Sequence, residues 1–282
     1  MATTKRERQK AARRQKLEQQ KQQAKKRQNI RRAVIVAIVA IVVLASAAYF
    51  FSGNSGTTTS TTTSTASTTT TAVSTTTVPK ADAALQTKAN ALAVAAGCPA
   101  STATRVNTLQ WKTSPAMAVN KSLPYYAHFV TTAGDFVVKL DAATAPITVN
   151  NFVFLAEHKY YNCVIFHRVI PGFVVQGGDP TGLGNGSPGY TIKDELPKTG
   201  SPTYPLYSVA MANTGAANSG GAQFFIVTGK SGEALPASYS LFGEVVSGQS
   251  AVMTINNEGS TAGVPPNVTN RMLTVTISNS AS

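Results

Sequence analysis

"FHRVIPGFVVQGGDP", Phe166 to Pro180, sets a His-Arg pair on an apolar run, turns at Pro171-Gly172 and places a glutamine before two glycines. Polar groups on such a run cost free energy unless they are paired or used. Period-2 alternation along Val164–Ile170 puts Phe166, Arg168 and Ile170 on one strand face and His167 on the other. Val174 and Gln176 share a face of the next strand, and Gln223 and Phe225 share one in "QFFIVTG". Arg168, Gln176, Gln223, Phe173, Val174 and Phe225 would then line an apolar slot with a cation and two amides at its rim. For each polar residue alone, the plain alternative is a strand-face side chain hydrogen-bonded to backbone.

The surrounding sequence reads as a β domain. "YAHFVTTAGDFVVKL" forms a hairpin around Thr132–Asp135, and "APITVNNFVFLAEHKYY" is a helix with Pro146 in its first turn. Its Val149, Phe152, Val153 and Ala156 fall on one side. "VIFHRVI", "FVVQGG", "YSVAMAN", "QFFIVTG", "SLFGEVV" and "RMLTVTISN" are short apolar or alternating runs separated by Gly, Pro and Asn. "SGQSAVMTINN" reads as a second short helix. Two helices and about eight strands without βαβ alternation predict a mainly β fold, a closed eight-stranded antiparallel barrel capped by two helices.

Upstream, composition shifts sharply. Of the formal charge of +13, residues 1–32 carry 13 Lys/Arg against Glu7 and Glu18, leaving a nearly neutral remainder. Ala33 to Phe51 follows, 19 residues without a charge. As a helix it would be about 28 Å long, enough to cross a hydrocarbon core of about 30 Å. The basic flank holds that side in the cytoplasm, which predicts a single-pass membrane protein whose remaining chain lies outside. A nucleic-acid arm is the rival reading of the tail, but interleaved aromatics for base stacking are missing. Cleavage near Ala47, within Ala45-Ser46-Ala47, would instead give a secreted protein. Residues 52–79 are a Ser/Thr-rich linker, a solvated spacer. Residues 80–125 are a helical and extended segment, with Leu85, Ala89, Leu92 and Ala96 on one helical face and Gly97 as a stop. Cys98 and Cys163 are the only cysteines. Outside the cytoplasm they could pair, and two free buried thiols are the alternative.

Several chemistries lack their parts. His128, His158 and His167 have no metal-ligand spacing, so neither a metal nor a cofactor is expected. "TGLGNGSPG" fits no phosphate-binding spacing and reads as a surface loop. "NSGG" does not present the Gly-x-Ser-x-Gly elbow. Asp194-Glu195 would point apart on a strand and make a poor acid/base pair.

"FHRVIPGFVVQGGDP", "SVAMANTGAANSGGAQFFIVT" and "LFGEVVSG", in that order and spacing, resemble the cyclophilins, a family of peptidyl-prolyl cis-trans isomerases. The resemblance covers roughly Tyr126 to Ser278 within a domain taken as 126–282. It implies a groove on the outside of the barrel for a proline-containing peptide. The family's catalytic arginine falls on Arg168, its proline-pocket residues on Phe173, Phe225 and Leu235, and its peptide-contacting amides on Gln176 and Gln223. Ala212 and Asn213 match the pair that contacts peptide backbone. The chain departs from the family where Val174 replaces the pocket methionine, Tyr239 the pocket histidine, and Ala234 the tryptophan that many eukaryotic members carry before Leu235. Trp111 lies outside the motifs. The implied activity is isomerisation of X-Pro bonds. The topology expected from the tail and span makes its substrates extracytoplasmic proteins, and a monomeric domain without nucleic acid is expected. A binding-only proline module and a scaffold working through the basic tail are the other classes.

Overall fold

The computed structural model describes residues 80–198 and 203–281. The basic tail, the expected span 33–51 and the linker 52–79 lie outside the described residues. Among the described residues no helix is long and apolar enough to cross a membrane.

The strands are β1 (Tyr125–Thr131), β2 (Phe136–Leu140), β3 (Arg168–Ile170), β4 (Val174–Gly177), β5 (Ser208–Met211), β6 (Phe224–Val227), β7 (Leu241–Ser247) and β8 (Met272–Ser278). The helices are α1 (Lys80–Ala95), α2 (Pro146–Glu157), the single turn α3 (Lys230–Glu233) and α4 (Gln249–Asn257). The strands form one sheet in the order β3-β4-β6-β5-β7-β2-β1-β8, every pairing antiparallel. Three ladders shift register, at Val130/Thr131, Val137/Val138 and Val209/Ala210. Bulges of this kind bend a strand and increase its twist, which curls the sheet on itself.

The closed barrel expected from sequence is corrected here to a half-barrel. The two ends of the sheet meet only at an isolated bridge between Ile165 and Arg271, not along a ladder. Strand β3 is too short to extend that seam, because Val164–His167 leave strand geometry before it. The same departure corrects the shared face given to Phe166 and Arg168. Phe166 is fully buried in the main core with Val169, whereas Arg168 is part-exposed on the other side.

Aromatic rings fill the curl. Phe129 stacks on Phe136 at 4.5 Å, and Phe152 of α2 meets Tyr161, Phe224 and Phe242 at 4.9, 5.6 and 5.4 Å between centroids. Helix α2 lacks a side-chain cap of its own. The Glu195 carboxylate supplies one from a distance, accepting from the Ile147 and Thr148 amides at 3.0 and 2.8 Å. Helix α4 closes another side through Ala251, Val252 and Ile255.

Helix α1 buries a different face from the one its leucines suggest. Ala89 and Ala93 are buried, whereas Leu85 and Leu92 are each 42% exposed. The docking is polar as well as close. Gln86 accepts from the Thr269 amide at 2.6 Å and donates to the Thr269 carbonyl at 3.3 Å. Small alanines let the helix approach near enough for that two-point contact. After α1 the chain turns, and Cys98 forms a disulfide with Cys163 across a sequence separation of 65, with Cα atoms 5.4 Å apart.

A loop of that size loses about 4 kcal/mol of unfolded-state entropy when cross-linked. The double variant Cys98→Ser/Cys163→Ser should therefore be less stable by a few kcal/mol in denaturant unfolding. A midpoint unchanged from wild type would show that the Cys98–Cys163 cross-link contributes nothing to stability.

Candidate functional site

Strand register builds the site. Arg168 lies opposite Gln176, Gln176 opposite Phe225, and Phe225 opposite Ala210. This row crosses β3, β4, β6 and β5 on the outer face. One step along, Ile170, Val174 and Val227 form a parallel row. The neighbouring positions Val169, Val175, Phe224 and Ile226 face the main core. Period-2 alternation thus separates one chain segment into core and groove residues.

The outer rows carry a second, smaller apolar cluster of Val174, Tyr204, Ala210, Phe225 and Val227, flanked by Phe173, Ala212, Leu235, Tyr239 and Leu241. It opens as a pocket of about 190 Å3 lined by Arg168, Phe173, Val174, Gln176, Ala212, Asn213, Phe225, Leu235 and Tyr239. These are nine of the ten groove residues read from sequence. The tenth, Gln223, lines an adjoining cavity of about 400 Å3 that shares Gln176, Ala212 and Asn213 with the first. The glutamines connect the two: Gln176 Nε2 donates to Gln223 Oε1 at 3.2 Å, and Arg168 Nη1 donates to Gln176 Oε1 at 3.2 Å.

The rest of the wall depends on packing. Phe225 meets Tyr239 edge-on at 5.2 Å between centroids. Phe173 lies under the guanidinium, with Arg168 Cζ 5.4 Å from its centroid, a cation–π placement. Turn α3 brings Leu235 over the slot. That approach requires Gly229, where a Cβ would lie 2.6 Å from the Gly172 Cα. Asn213 is fixed by donating from Nδ2 to the Ser238 carbonyl at 2.8 Å. Among the described residues no carboxylate lies within ion-pair distance of Arg168. The cation therefore sits at the rim of an apolar slot with one neutral acceptor.

Sequence reading missed Tyr204. Its ring is fully buried beside Phe225 at 6.5 Å, and its hydroxyl donates to the Tyr239 carbonyl and accepts from the Tyr239 amide, both at 2.9 Å. It sets the position of Tyr239 from behind the wall. "SPTYPLY" carries no periodicity or motif that would have marked it. Asp194 and Glu195 do structural work apart from each other, the first accepting from the Asn218 amide at 2.6 Å and the second capping α2.

His167 is 4% exposed and its Nδ1 has no hydrogen-bond partner. Burial holds its pKa below the ordinary histidine value, Asp179 opposes that shift, and Arg168 adds to it. Asp179 is itself held low. Burial works against ionisation there, but hydrogen bonds from the Gly186 amide and from Thr181 outweigh it.

Residues 126–279 match the family model of the cyclophilin type peptidyl-prolyl cis-trans isomerases. The chain belongs to this family and carries its isomerase domain. It is 41% identical over 135 residues to peptidyl-prolyl cis-trans isomerase A of Mycobacterium tuberculosis, covering 43% of this chain and 72% of that one. It is 43% identical over 131 residues to peptidyl-prolyl cis-trans isomerase-like 1 of Aspergillus niger, covering 44% and 76%. The crystal structure of a Cryptosporidium parvum cyclophilin type isomerase superposes with a TM-score of 0.51 at 30% identity, covering 55% of this chain and 98% of that one. The same protein in the presence of the dipeptide Ala-Pro gives a TM-score of 0.50 at 30% identity, over 54% and 98%.

The His167 environment gives a pH signature. Its folded pKa lies below the unfolded value of about 6.5, so the unfolded chain binds the proton first as pH falls. The stability that neutral His167 contributes is present above pH ~6.5 and is lost progressively below it. Asp179 enters only below the ordinary carboxylate range of about 3.9. Thermal midpoints should fall between pH 7.5 and 5 in wild type, and this slope should flatten in His167→Gln. An equal slope in the variant would remove His167 as the cause.

Proposed function

We propose that X-Pro isomerisation takes place in the pocket of Arg168, Phe173 and Phe225, on proteins outside the cytoplasm. The observation that carries this reading is a guanidinium held on one neutral amide at the rim of an apolar slot, unpaired by any carboxylate among the described residues.

Rotation about an X-Pro bond has a barrier of about 18–20 kcal/mol and takes tens to hundreds of seconds. Bringing it to milliseconds requires about five decades, or about 7 kcal/mol. No bond breaks. At the transition state the amide loses resonance, and the prolyl nitrogen becomes pyramidal with a free lone pair. A hydrogen bond donated by Arg168 to that nitrogen stabilises the twisted state and not the planar one, which is the condition for catalysis. Arginine suits the role because it stays charged and presents a rigid fork of donors. A carboxylate partner would occupy those donors in the ground state. Phe173, Val174, Phe225 and Leu235 grip the proline ring, with Tyr239 as the polar-tipped edge. Gln176, Gln223, Ala212 and Asn213 hold the flanking backbone. The similarity to a Cryptosporidium isomerase crystallised in the presence of Ala-Pro supports a proline peptide as the ligand of this fold.

The extracytoplasmic setting rests on the basic tail abutting an uncharged span of 19 residues. A cysteine pair joined in a disulfide suits an oxidising compartment. The Ser/Thr-rich linker would hold the domain away from the bilayer. Protease applied to intact cells should remove the isomerase domain and spare the tail. Protection until lysis overturns this topology, and a mature N-terminus at Ala48 favours the secreted form.

Arg168→Ala should lower kcat by about 10²–10³ with peptide affinity and thermal midpoint nearly unchanged, because it removes one donor used only in the twisted state. Phe225→Ala should behave differently, weakening peptide binding and destabilising the fold by about 3–5 kcal/mol, since Phe225 is 4% exposed and packs the second cluster. Protease-coupled isomerisation, peptide titration and melting separate the two. Near wild-type turnover in Arg168→Ala would refute the mechanism. Binding without turnover in the wild type would make the domain a proline-peptide adaptor.

A further inference from the structure

The glycine-rich run Thr181–Gly189, read from sequence as a surface loop, walls the larger cavity beside Gln223. Four glycines in nine residues give it little intrinsic order. It nevertheless has a task. Gln223 Nε2 donates to the Gly184 carbonyl at 2.9 Å and to the Gly186 carbonyl at 3.3 Å. Carbonyls only accept and a guanidinium only donates, so these contacts fix the direction of the whole relay. With its amide nitrogen turned to the loop, Gln223 offers Oε1 to Gln176. Gln176 spends its own nitrogen there and offers Oε1 to Arg168. If the loop carbonyls move away, Gln223 loses the reason for its orientation, and Arg168 can lose its acceptor.

The loop is tied on two sides. Inside, Asp179 accepts from the Thr181 amide at 2.7 Å and the Gly186 amide at 3.0 Å. Outside, the ties come from a segment that precedes the family domain. The Val106 amide donates to the Pro180 carbonyl at 3.0 Å, and the Trp111 amide donates to the Pro188 carbonyl at 2.8 Å. The approach is close enough to require glycine at Gly189, which has φ +93° and where a Cβ would lie 2.6 Å from the Trp111 carbonyl oxygen. The segment is itself fastened to rigid structure. The Trp111 ring packs edge-on against Phe154 of α2 at 5.0 Å and against His158 at 5.6 Å. Asn107 Nδ2 donates to the Tyr160 carbonyl at 2.8 Å, and the Cys98–Cys163 disulfide pins its upstream end.

We propose that Val106–Trp111, outside the matched family domain, is a positioning segment for catalysis: it holds the Pro180–Gly189 loop, whose carbonyls orient Gln223 and Gln176 and thereby Arg168. Trp111 is its anchor and touches no substrate. The inference rests on the reading of the Arg168 pocket as the reaction site.

Coupling of this kind is reciprocal, so a ligand that uses the ordered relay must also tighten the segment. The first test is on the full wild-type chain by amide hydrogen exchange, with a proline-containing tetrapeptide as the probe. Saturating peptide should slow exchange at the Val106 and Trp111 amides about fivefold, while the Thr269 amide, held by Gln86 on α1, changes little. The second test is kinetic. Trp111→Ala should lower kcat about fivefold with KM nearly constant, and Trp111→Phe should recover most of it. Gln86→Ala should lower the thermal midpoint without changing kcat. If Trp111→Ala does not fold, the exchange measurement decides alone. Peptide that shifts the Gln223 side-chain resonances but leaves exchange at Val106 and Trp111 unchanged overturns this inference and leaves the pocket intact. Peptide that does not shift Gln223 overturns the pocket reading, and the positioning role falls with it.

Discussion

The register between β4 and β6 is the constraint on which the rest depends. It sets Gln176 beside Phe225 and Val174 beside Val227 on the outer face, while Val175, Phe224 and Ile226 point into the aromatic core. A slip of one residue would exchange these sets. Glutamine would then enter a core with no acceptor for it, and the slot would lose its aromatic wall. The core penalty alone is large, since an unsatisfied buried amide costs about 1–3 kcal/mol and the lost aromatic packing more. Folding stability and site geometry are thus enforced by the same hydrogen-bonded pairs.

Strand β6 is buried on both faces, which gives the groove its rigidity. Phe224 belongs to the ring cluster of Phe129, Phe152 and Tyr161, and Phe225 to the cluster under Tyr239. A strand packed on one side only could shift toward its ligand. Here any displacement of the outer face disturbs the inner one, and close-packed interiors resist that. Tyr204 extends the same logic outward, holding both backbone polar groups of Tyr239 with one hydroxyl.

Much of this is legible in the sequence, for a definable reason. Alternation within "FVVQGG" and "QFFIVTG" is local, so it sorts Val174, Gln176, Gln223 and Phe225 to one side without knowledge of the fold. Long motifs then add Leu235, Ala212, Asn213 and Tyr239 through family resemblance, and assign roles to Arg168 and Phe173. Local rules fail where a distant contact decides. Alternation carried across residues that do not form strand puts Phe166 on the Arg168 face, where it does not lie. Strand count suggests a closed barrel but says nothing about whether the two end strands pair along their length. Leu85 and Leu92 outweigh Ala89 and Ala93 by hydropathy, yet the docking of α1 is decided by close approach and by Gln86 on Thr269. Tyr204 and Glu195 act across 35 and 48 positions, respectively. No pattern at the scale of a turn or a strand encodes such partners.

The proposed catalysis by the single cation of Arg168 would make a particular demand on the structure around it. A carboxylate would hold Arg168 firmly but would also neutralise it in the ground state, and the difference between planar and twisted amide would shrink. A neutral acceptor leaves the charge free but binds less tightly, with a net worth of about 1.5–3 kcal/mol for a hydrogen bond to a charged group. Orientation must then come from elsewhere. In this chain it comes from a relay with an acceptor-only end in the loop carbonyls and a donor-only end in the guanidinium, so that neither amide can turn over without losing a partner. The weakness of each contact is offset by the fixed direction of the series. A glycine-rich loop can serve as its origin because other parts of the chain hold that loop in place.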